Sequence, residues 1–515
     1  MGRRDVLLES NPMELAELVE AVAGAAVRGD PTTTVRGLAY HTQDVGEGSL
    51  FFCVRGLRSD GHDFAAQAAA SGALALVCEH DTGLDLTHVI VPSVRRALAL
   101  MAARWYAEPS RELLVTGVTG TNGKTTTSHL IAGIAAAAGR QSALLGTVVN
   151  RIGGREYPVQ LTTAESLDLQ RMFREMVVAG DRACVLEVSS HALALDRAVA
   201  IDFDAVVFTN LTRDHLDFHS GIEEYYLAKR RLFLPDEARN GRATAVVNVA
   251  DPFGRRLADD CRSLYGEDLW TYTVSAGAPS SGETPDARAC DLELRADGSV
   301  FTLLVPRLGI EERLTLRLAA RFNVENALAA ATAALSLGLP LSAVLEGLAL
   351  TQGVPGRFEA VRVGQPFGVI VDYSHTPDSL ENALQAARAV SRGRVLVVFG
   401  CGGDRDRGKR PLMGAIGARL SDRAFVTSDN PRSEDPMSIV DEIVAGVPRE
   451  RLDDLTVEPD RRMAIRLALA EARAGDLVLI AGKGHEQGQT IGDRRIPFDD
   501  REVARALLDE LREDS

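Results

Sequence analysis

Thr116-Gly117-Val118-Thr119-Gly120-Thr121-Asn122-Gly123-Lys124-Thr125-Thr126-Thr127 is the stretch that decides the fold of this 515-residue chain. An apolar run over residues 113–118 leads into it, and a helix-forming run over residues 128–139 leads out. Strand, glycine loop and helix in that order aim backbone N–H groups and a helix N-terminus at a phosphate. Lys124 can reach the outer phosphates, and the Thr125 hydroxyl can hold Mg²⁺. The strict motif places four residues between its first glycine and Gly-Lys; here Gly117 and Gly123 have five between them. The loop is therefore a variant with its own internal glycine, Gly120. A chance Gly-Lys-Thr is the alternative, and the flanking strand and helix argue against it.

The bulk numbers set bounds. A chain of this length exceeds a single core, so about three or four domains are expected. Hydrophobic content of 45% and charged content of 25% are ordinary for a globular protein. The net charge of −15 argues against a nucleic-acid partner, which demands a basic face. No stretch approaches the roughly 20 apolar residues of a membrane span. The N-terminal MGRRDVLLES lacks the apolar core of a signal peptide. Six scattered cysteines with no Cys-x-x-Cys make structural zinc and a disulfide framework unexpected. The cytoplasm is the expected compartment.

Three segments emerge. Residues 1–110 mix short strands (49–54, 73–78, 88–91) with alanine-rich helices (64–70, 95–106), and 107–111 reads as a linker. In residues 111–352, apolar runs at 184–188, 205–209 and 243–248 alternate with helical patterns, which predicts a mostly parallel sheet flanked by helices. Residues 276–289, rich in Gly, Pro and Ser, read as an exposed loop, and 291–305 as an antiparallel addition. Residues 353–515 carry a second strand and helix series, with strands at 368–372, 394–399, 423–427 and 476–480. The fold class is thus α/β with three domains. The central one carries the phosphate loop, the last is a second strand and helix series, and the first is a small α/β unit.

Polar residues gather where these strands end, and ligands of open α/β sheets bind there. Glu187-Val188-Ser189-Ser190-His191 follows one strand, and Asn210-Leu211-Thr212-Arg213-Asp214-His215 the next. Acid and histidine beside a phosphate loop suit Mg²⁺ and nucleotide. Alone, Ser189 reads as a helix cap and His215 as a surface residue. Lys229 lies on an amphipathic helix and by itself reads as a solvated lysine. In the last segment Asp372-Tyr373-Ser374-His375, Gly400-Cys401-Gly402-Gly403-Asp404-Arg405, Asp429-Asn430-Pro431-Arg432 and Gly482-Lys483-Gly484-His485-Glu486 all follow strands. Arginine can clamp a carboxylate, and an acid can hold an ammonium. Arg405, Asp429, Asn430, Arg432 and Glu486 therefore suit a zwitterionic amino acid.

These motifs, in this order, resemble the Mur ligase family, whose members join amino acids to a UDP-muramoyl carrier in peptidoglycan synthesis. The resemblance rests on Gly120-Thr121-Asn122-Gly123-Lys124-Thr125, residues 187–193, Asp214-His215, Ala228-Lys229, Phe322-Asn323-Val324-Glu325-Asn326, Gly356-Arg357, residues 372–378 and residues 482–486, nearly the whole chain. It implies an N-terminal UDP-binding domain, a central phosphate-loop ATPase and a C-terminal Rossmann-like domain that binds the amino acid. It also implies that Gly120, Thr121, Asn122, Gly123, Lys124, Thr125 and Thr126 bind ATP, with Asn326, Arg357, Asp372 and His375 facing the nucleotide. Lys124, Glu187, His215 and Lys229 become the catalytic set. Thr125, Glu187, His215 and an N-carboxylated Lys229 become the Mg²⁺ ligands. Thr42, Thr162, Thr163, Ser189 and Arg197 fall to the UDP-muramoyl substrate. Arg405, Asp429, Asn430, Pro431, Arg432, Gly482 and Glu486 fall to the incoming amino acid.

Within the family the resemblance is to enzymes that add the third residue to UDP-N-acetylmuramoyl-L-alanyl-D-glutamate. The arginine ending Asp429-Asn430-Pro431-Arg432 resembles the diaminopimelate branch, with the meso isomer expected. Diaminopimelate carries a second carboxylate for Arg432, whereas the ammonium of lysine would be repelled. The expected partners are thus ATP, the UDP-dipeptide and diaminopimelate, with no membrane and a monomeric enzyme. The chain departs from the family pattern at His41-Thr42-Gln43, Ala164, Leu195 and Ala320, the last standing where glycine is expected. The rival readings are ligation of lysine or another diamino acid, a folylpolyglutamate synthetase-like ligase, and a nucleotide-dependent switch without ligation.

Overall fold

The parallel strands of the middle segment are apolar on both faces, so that part of the sheet must be covered on both sides. That demand organises a computed structural model describing residues 12–56, 59–236, 243–274, 284–295, 298–351 and 353–513. The first sheet holds β1 (Ala26–Arg28), β2 (Gly37–Ala39), β3 (Ser49–Phe52), β4 (Ala73–Cys78) and β5 (Thr87–Ile90), in the order β1-β5-β4-β3-β2. Helix α1 (Val94–Trp105) packs Leu98 and Met101 into the same cluster as Phe52 and Val77. The Ser93 hydroxyl accepts from the Arg96 N–H and caps that helix.

The central domain carries β6 (Leu114–Thr119), α2 (Lys124–Ala137), β7 (Ser142–Leu145), β8 (Asn150–Ile152), β9 (Arg155–Tyr157), α3 (Ser166–Ala179), β10 (Ala183–Glu187), β11 (Ala205–Phe208), α4 (Ile222–Arg230), β12 (Thr244–Asn248), β13 (Leu269–Val274), β14 (Ala287–Arg295), β15 (Gly298–Val305), β16 (Ile310–Leu316) and α5 (Arg321–Ser336). Its strands run β9-β8-β7-β10-β6-β11-β12-β13-β14-β15-β16. The middle is parallel and both edges are antiparallel. Alternate residues face opposite cores: Val207 and Val246 meet α2 and α5, while Val206 and Ala245 meet α3 and α4. The alanine run of α5 is buried almost throughout, which lets it lie close against α2.

The last domain has β17 (Glu359–Ala360), β18 (Gly368–Asp372), α6 (Pro377–Val390), β19 (Val395–Phe399), α7 (Lys409–Leu420), β20 (Arg423–Val426), α8 (Pro436–Val444), β21 (Leu455–Val457), β22 (Leu477–Ala481) and a separate hairpin, β23 (Gly488–Ile491) and β24 (Arg494–Pro497). The sheet order is β17-β18-β22-β19-β20-β21, parallel except at β17. Among the described residues no helix is long and apolar enough to cross a membrane.

The three-domain α/β expectation holds, and local expectations need correction. Helix α2 starts at Lys124, four residues before the expected 128, because the phosphate-loop threonines form its first turn. The expected linker at 107–111 is packed structure. Pro109 and Ser110 are buried in a 3₁₀ turn, and Arg174 holds the Tyr106 carbonyl at 2.8 Å. Part of the expected loop at 276–289 lies outside the described residues. Ala287 and Ala289 belong instead to β14 and are buried, because β13 offers them a parallel partner.

Ala320, which precedes α5, adopts φ +82° and ψ 147°, a region nearly reserved for glycine. Its methyl is buried, so strain opposes packing. Strain there costs about 1–3 kcal/mol, and glycine's larger unfolded-state entropy returns roughly 0.5–1 kcal/mol. Ala320→Gly should stabilise the protein by up to about 1 kcal/mol and raise the thermal midpoint by roughly 2 °C. A midpoint that falls by that much would mean the methyl's packing outweighs the strain.

Candidate active site

Residues 120–123 turn the chain from β6 into α2, and the end of β11 holds that turn from the side. The Thr121 N–H donates to the Asn210 carbonyl (2.9 Å), the Asn122 N–H to Asn210 Oδ1 (2.9 Å), and the Thr209 hydroxyl to the Asn122 carbonyl (2.6 Å). Gly120 has φ +150°, and a Cβ there would lie 1.9 Å from Thr209 Oγ1. Gly123 has φ +85°, and its Cβ would lie 2.3 Å from Asn326 Oδ1. Backbone thus comes as close to α5 as a missing side chain permits.

Two amines converge on one carbonyl. Lys124 Nζ donates to the Gly120 oxygen (2.9 Å) and the Thr121 oxygen (2.8 Å), and Lys229 Nζ donates to the same Gly120 oxygen (2.7 Å). The solvated reading of Lys229 is wrong: the residue is 1% exposed, lying under the loop with its amine 4.6 Å from the Tyr225 ring centroid. Burial lowers the pKa of both amines, and the charge of Lys124 pushes Lys229 down further.

Glu187 ends β10 and receives hydrogen bonds from three donors. These are the Thr125 hydroxyl (3.1 Å), the Thr147 hydroxyl (2.9 Å) and the Thr147 N–H (2.9 Å). His215, in the left-handed region at φ +54°, sets its ring edge-on to His191, with centroids 4.9 Å apart. Burial pushes His215 down to about 3 and His191 to about 4, so both are neutral imidazoles near neutral pH. Thr163 donates to the Glu187 carbonyl (2.8 Å) and accepts from the Ser189 N–H (3.0 Å). Arg197 donates to the Thr163 carbonyl (3.2 Å), and Thr162 lies 3.2 Å from the Thr147 hydroxyl. Ser189 also caps a short helix by accepting from the Ala192 N–H, so the cap reading and the site reading hold together.

The last domain reaches this site directly. Arg357 lies over the Tyr373 ring at 4.4 Å and donates to the Thr125 hydroxyl (3.1 Å). Asp378 accepts from Asn122 Nδ2 (2.8 Å) and from the Thr212 hydroxyl (3.3 Å). Asp372 accepts the N–H groups of Phe358 (2.7 Å) and Ser374 (2.9 Å), fixing the chain where it enters the domain. His375 is held at both ends, with Nδ1 2.8 Å from the Tyr373 carbonyl and its own carbonyl accepting from Lys409 (2.8 Å).

One cavity of about 920 Å³ joins these groups. Thr121, Asn122, Gly123, Lys124, Thr125, Thr126, Thr162, Thr163, Glu187, Ser189, Arg197, His215, Lys229, Asn326, Arg357, Asp372, His375 and Arg405 all line it. Gly120 is the loop residue behind the lysines. Thr42, in a turn of the first domain, does not line the cavity. Asp429, Asn430, Pro431, Arg432, Gly482 and Glu486 form a neighbouring cluster. Asn430 Nδ2 donates to Asp429 (3.0 Å) and Glu486 (2.8 Å), and buried Lys483 donates to Asn430 Oδ1 and to Glu486, each at 3.1 Å. Arg432 donates to the Gly403 carbonyl (2.6 Å), and the positive charge of Arg405 is close enough to lower its pKa beyond the effect of burial. A Cβ on Gly402 would meet both arginines, so the cluster adjoins the cavity at Arg405.

Thr147, Tyr225, Asp378 and Lys483 were not read as individual site residues. Thr147 follows β7 and carried the same strand-end signal as Glu187. Tyr225 sits four residues before Lys229, on one helix face. Asp378 and Lys483 fall within the motifs at 372–378 and 482–486, but the contacts that give them a role, to Asn122 and Asn430, lie far along the chain.

Comparison with known proteins agrees with this geometry. Residues 34–106 match the model for the Mur ligase family catalytic domain, residues 118–334 the Mur ligase middle domain, and residues 356–484 the Mur ligase glutamate ligase domain. A relative from Geobacillus thermodenitrificans is named UDP-N-acetylmuramoyl-L-alanyl-D-glutamate--2,6-diaminopimelate ligase. It is 46% identical over 507 residues, covering 97% of this chain and all of that relative.

The chain belongs to the Mur ligase family.

Another Mur ligase, a solved UDP-N-acetylmuramoyl-L-alanyl-D-glutamate--2,6-diaminopimelate ligase, superposes with a TM-score of 0.68 at 31% identity, covering 98% of this chain and 100% of that one. A folylpolyglutamate synthase from Mycobacterium tuberculosis shares the fold alone, with a TM-score of 0.60 at 16% identity over 76% of this Mur ligase and 93% of the synthase.

The phosphate loop can be tested by crowding it. Gly123→Ala combines a positive φ with a clash against Asn326. It should lower stability by roughly 2 kcal/mol or more. Adding Asn326→Ala should return part of that loss, since it removes the clash but not the strain. Denaturant midpoints of the two single variants and the double variant measure this, and strict additivity would disprove the contact.

Proposed function

We propose that this ATP-dependent ligase joins diaminopimelate to the D-glutamate side-chain carboxylate of UDP-N-acetylmuramoyl-L-alanyl-D-glutamate, in peptidoglycan biosynthesis. The observation that carries the reading is the single cavity in which the phosphate loop and Arg405 meet. A free carboxylate does not acylate an amine near neutral pH. ATP solves this: a carboxylate oxygen attacks the γ-phosphorus, ADP leaves, and an acyl phosphate forms. The amine of diaminopimelate then attacks the acyl carbon. The C–O bond to phosphate breaks, the amine loses a proton, and inorganic phosphate departs.

The residues suit these steps. The loop N–H groups and Lys124 receive the β- and γ-phosphates and offset charge as it builds. Arg357, on Thr125, faces the same phosphates. The hydroxyl and carboxylate pair Thr125–Glu187 fits Mg²⁺, which takes oxygen ligands and keeps several waters. The neutral ring of His215 fits a place beside it. When bound, the ions would supply Lewis-acid charge neutralisation at the phosphates.

Lys229 as an ammonium does not fit a metal site. Its depressed pKa favours the free amine, and the free amine can add to CO₂. The nitrogen bonds to carbon, a proton leaves, and an anionic carbamate results. That carbamate would hold a second Mg²⁺. Thr162, Thr163, Ser189 and Arg197 face the UDP-dipeptide, with Thr42 toward its uridine end. Arg432 and Arg405 suit the distal carboxylate of diaminopimelate, and the acids Asp429 and Glu486 suit its ammonium. Asp378 and Arg357 keep the last domain closed over the phosphate loop, which shields the acyl phosphate from water. The enzyme acts as a cytoplasmic monomer.

ADP release with the UDP-dipeptide and lysine, ornithine or either diaminopimelate isomer tests the substrate, and the meso isomer should give the highest kcat/KM. Arg432→Ala should raise the KM for diaminopimelate roughly ten- to hundredfold, the loss expected for a charged hydrogen bond, while the KM for ATP changes less than about twofold. Equal shifts in both would count against the pocket.

For Lys229, exhaustive exchange into CO₂-free buffer should lower turnover and bicarbonate should restore it. Intact-protein mass spectrometry should find the mass of one CO₂ retained on the active form. Turnover indifferent to CO₂, with no such adduct, would overturn the carbamate.

A further inference from the structure

We infer that Arg410, which touches no part of the cavity, is a positioning residue that sets amino-acid selectivity by clasping together the two loops that carry Arg405 and Arg432. This rests on the assignment of those loops to the incoming amino acid. Arg410 lies in the first turn of α7, and its side chain is 0% exposed. A cation there opposes the helix dipole, so helix stability does not account for it. Its guanidinium makes a two-pronged contact with Glu434, Nη1 to Oε2 at 2.9 Å and Nη2 to Oε1 at 2.8 Å, and Nη1 also reaches Glu442 at 2.9 Å.

Glu434 is the shared element. Its Oε1 also accepts the Asp404 N–H at 2.6 Å, next to Arg405. Its own N–H donates to the Pro431 carbonyl at 3.1 Å, next to Arg432. Arg410 Nη2 lies 3.4 Å from the Gly402 carbonyl. One buried guanidinium thus spans the loop after β19 and the loop after β20. Both Asp404 and Arg432 sit in left-handed backbone, at φ +52° each, which an unsupported loop would relax. The Gly403 N–H donates to the Asn430 carbonyl (2.9 Å) and the Ser433 hydroxyl to Asp404 Oδ1 (2.7 Å), which also joins these loops. Without the clasp such ties alone must hold Arg405 and Arg432, and a displacement of about 1 Å is enough to cost roughly a hundredfold in a positioned reaction.

Arg410→Met keeps the buried stem and removes the charge. Glu434 and Glu442 are partly exposed, so water can reach the carboxylates that remain. With the UDP-dipeptide and ATP, the KM for diaminopimelate should rise roughly ten- to hundredfold, and the ratio of kcat/KM for diaminopimelate over lysine should fall by a similar factor. The KM for ATP should change less than about twofold, while the thermal midpoint falls because a buried charge network is broken. Glu434→Ala should raise the same KM and add little to Arg410→Met, because both open one clasp. If Arg410→Met fails to fold, Glu434→Ala alone carries the comparison. An unchanged diaminopimelate KM, a rise shared by all three substrates, or additive effects would overturn the inference. Should the wild-type protein use another diamino acid, the substrate reading fails, and the same comparison with that amino acid still decides the clasp.

Discussion

Two buried amines share one carbonyl oxygen, and the site is built around that strain. Lys124 and Lys229 both donate to Gly120, deep beneath the end of the central sheet. Two unit charges about 5 Å apart repel by roughly 3 kcal/mol at an effective dielectric of about 20. Burial adds its own penalty. The pocket therefore favours either a bound polyanion or the loss of a charge, and the depressed pKa of Lys229 is the local response. A phosphate chain relieves the repulsion from outside, and a carbamate on Lys229 would relieve it from within.

Around that centre, the fold places polar groups at the carboxyl ends of parallel strands and keeps the strands themselves apolar. Glu187, Asn210 and the phosphate loop end three neighbouring strands, β10, β11 and β6. Each takes a hydrogen bond from a different stretch of chain, so the arrangement is rigid before any ligand arrives. Closure is a separate matter. Asp378 and Arg357 bring the last domain onto the loop through polar contacts across the cavity. An apolar seam adds to them: Ala320 joins the last domain's core and Phe322 sets its ring edge-on to Phe358, with centroids 5.5 Å apart.

The loops of the last domain follow a different logic. They hang from β19, β20 and β22 and hold one another mostly through side chains, with one backbone bond from the Gly403 N–H to the Asn430 carbonyl at 2.9 Å. The hairpin β23–β24 helps, since the Arg432 N–H donates to the Thr490 carbonyl at 3.0 Å. Buried charge does the rest: Arg461 pairs with Asp500 at 2.7 Å and donates to the Ala481 carbonyl, while Lys483 neutralises Glu486. These cations face inward, where removing one would leave an unpaired acid.

By itself the sequence determined the three-domain α/β class, the phosphate loop, most strands and the polar strand ends, because period, glycine spacing and residue chemistry are local properties. It led to the family through motifs spread along the chain. What it left open are relations between distant residues. Lys229 read as solvated because an amphipathic helix does not say which loop will cover it. Residues 107–111 read as a linker because packing against Arg174 is not a local signal. Asp378 closed a motif without a role of its own and Arg410 had no mark, since their roles come from partners 256 and 24 residues away. Only the tertiary structure decides such matters, because burial, and with it the protonation of an amine or the direction of a guanidinium, depends on which surfaces the folded chain brings together.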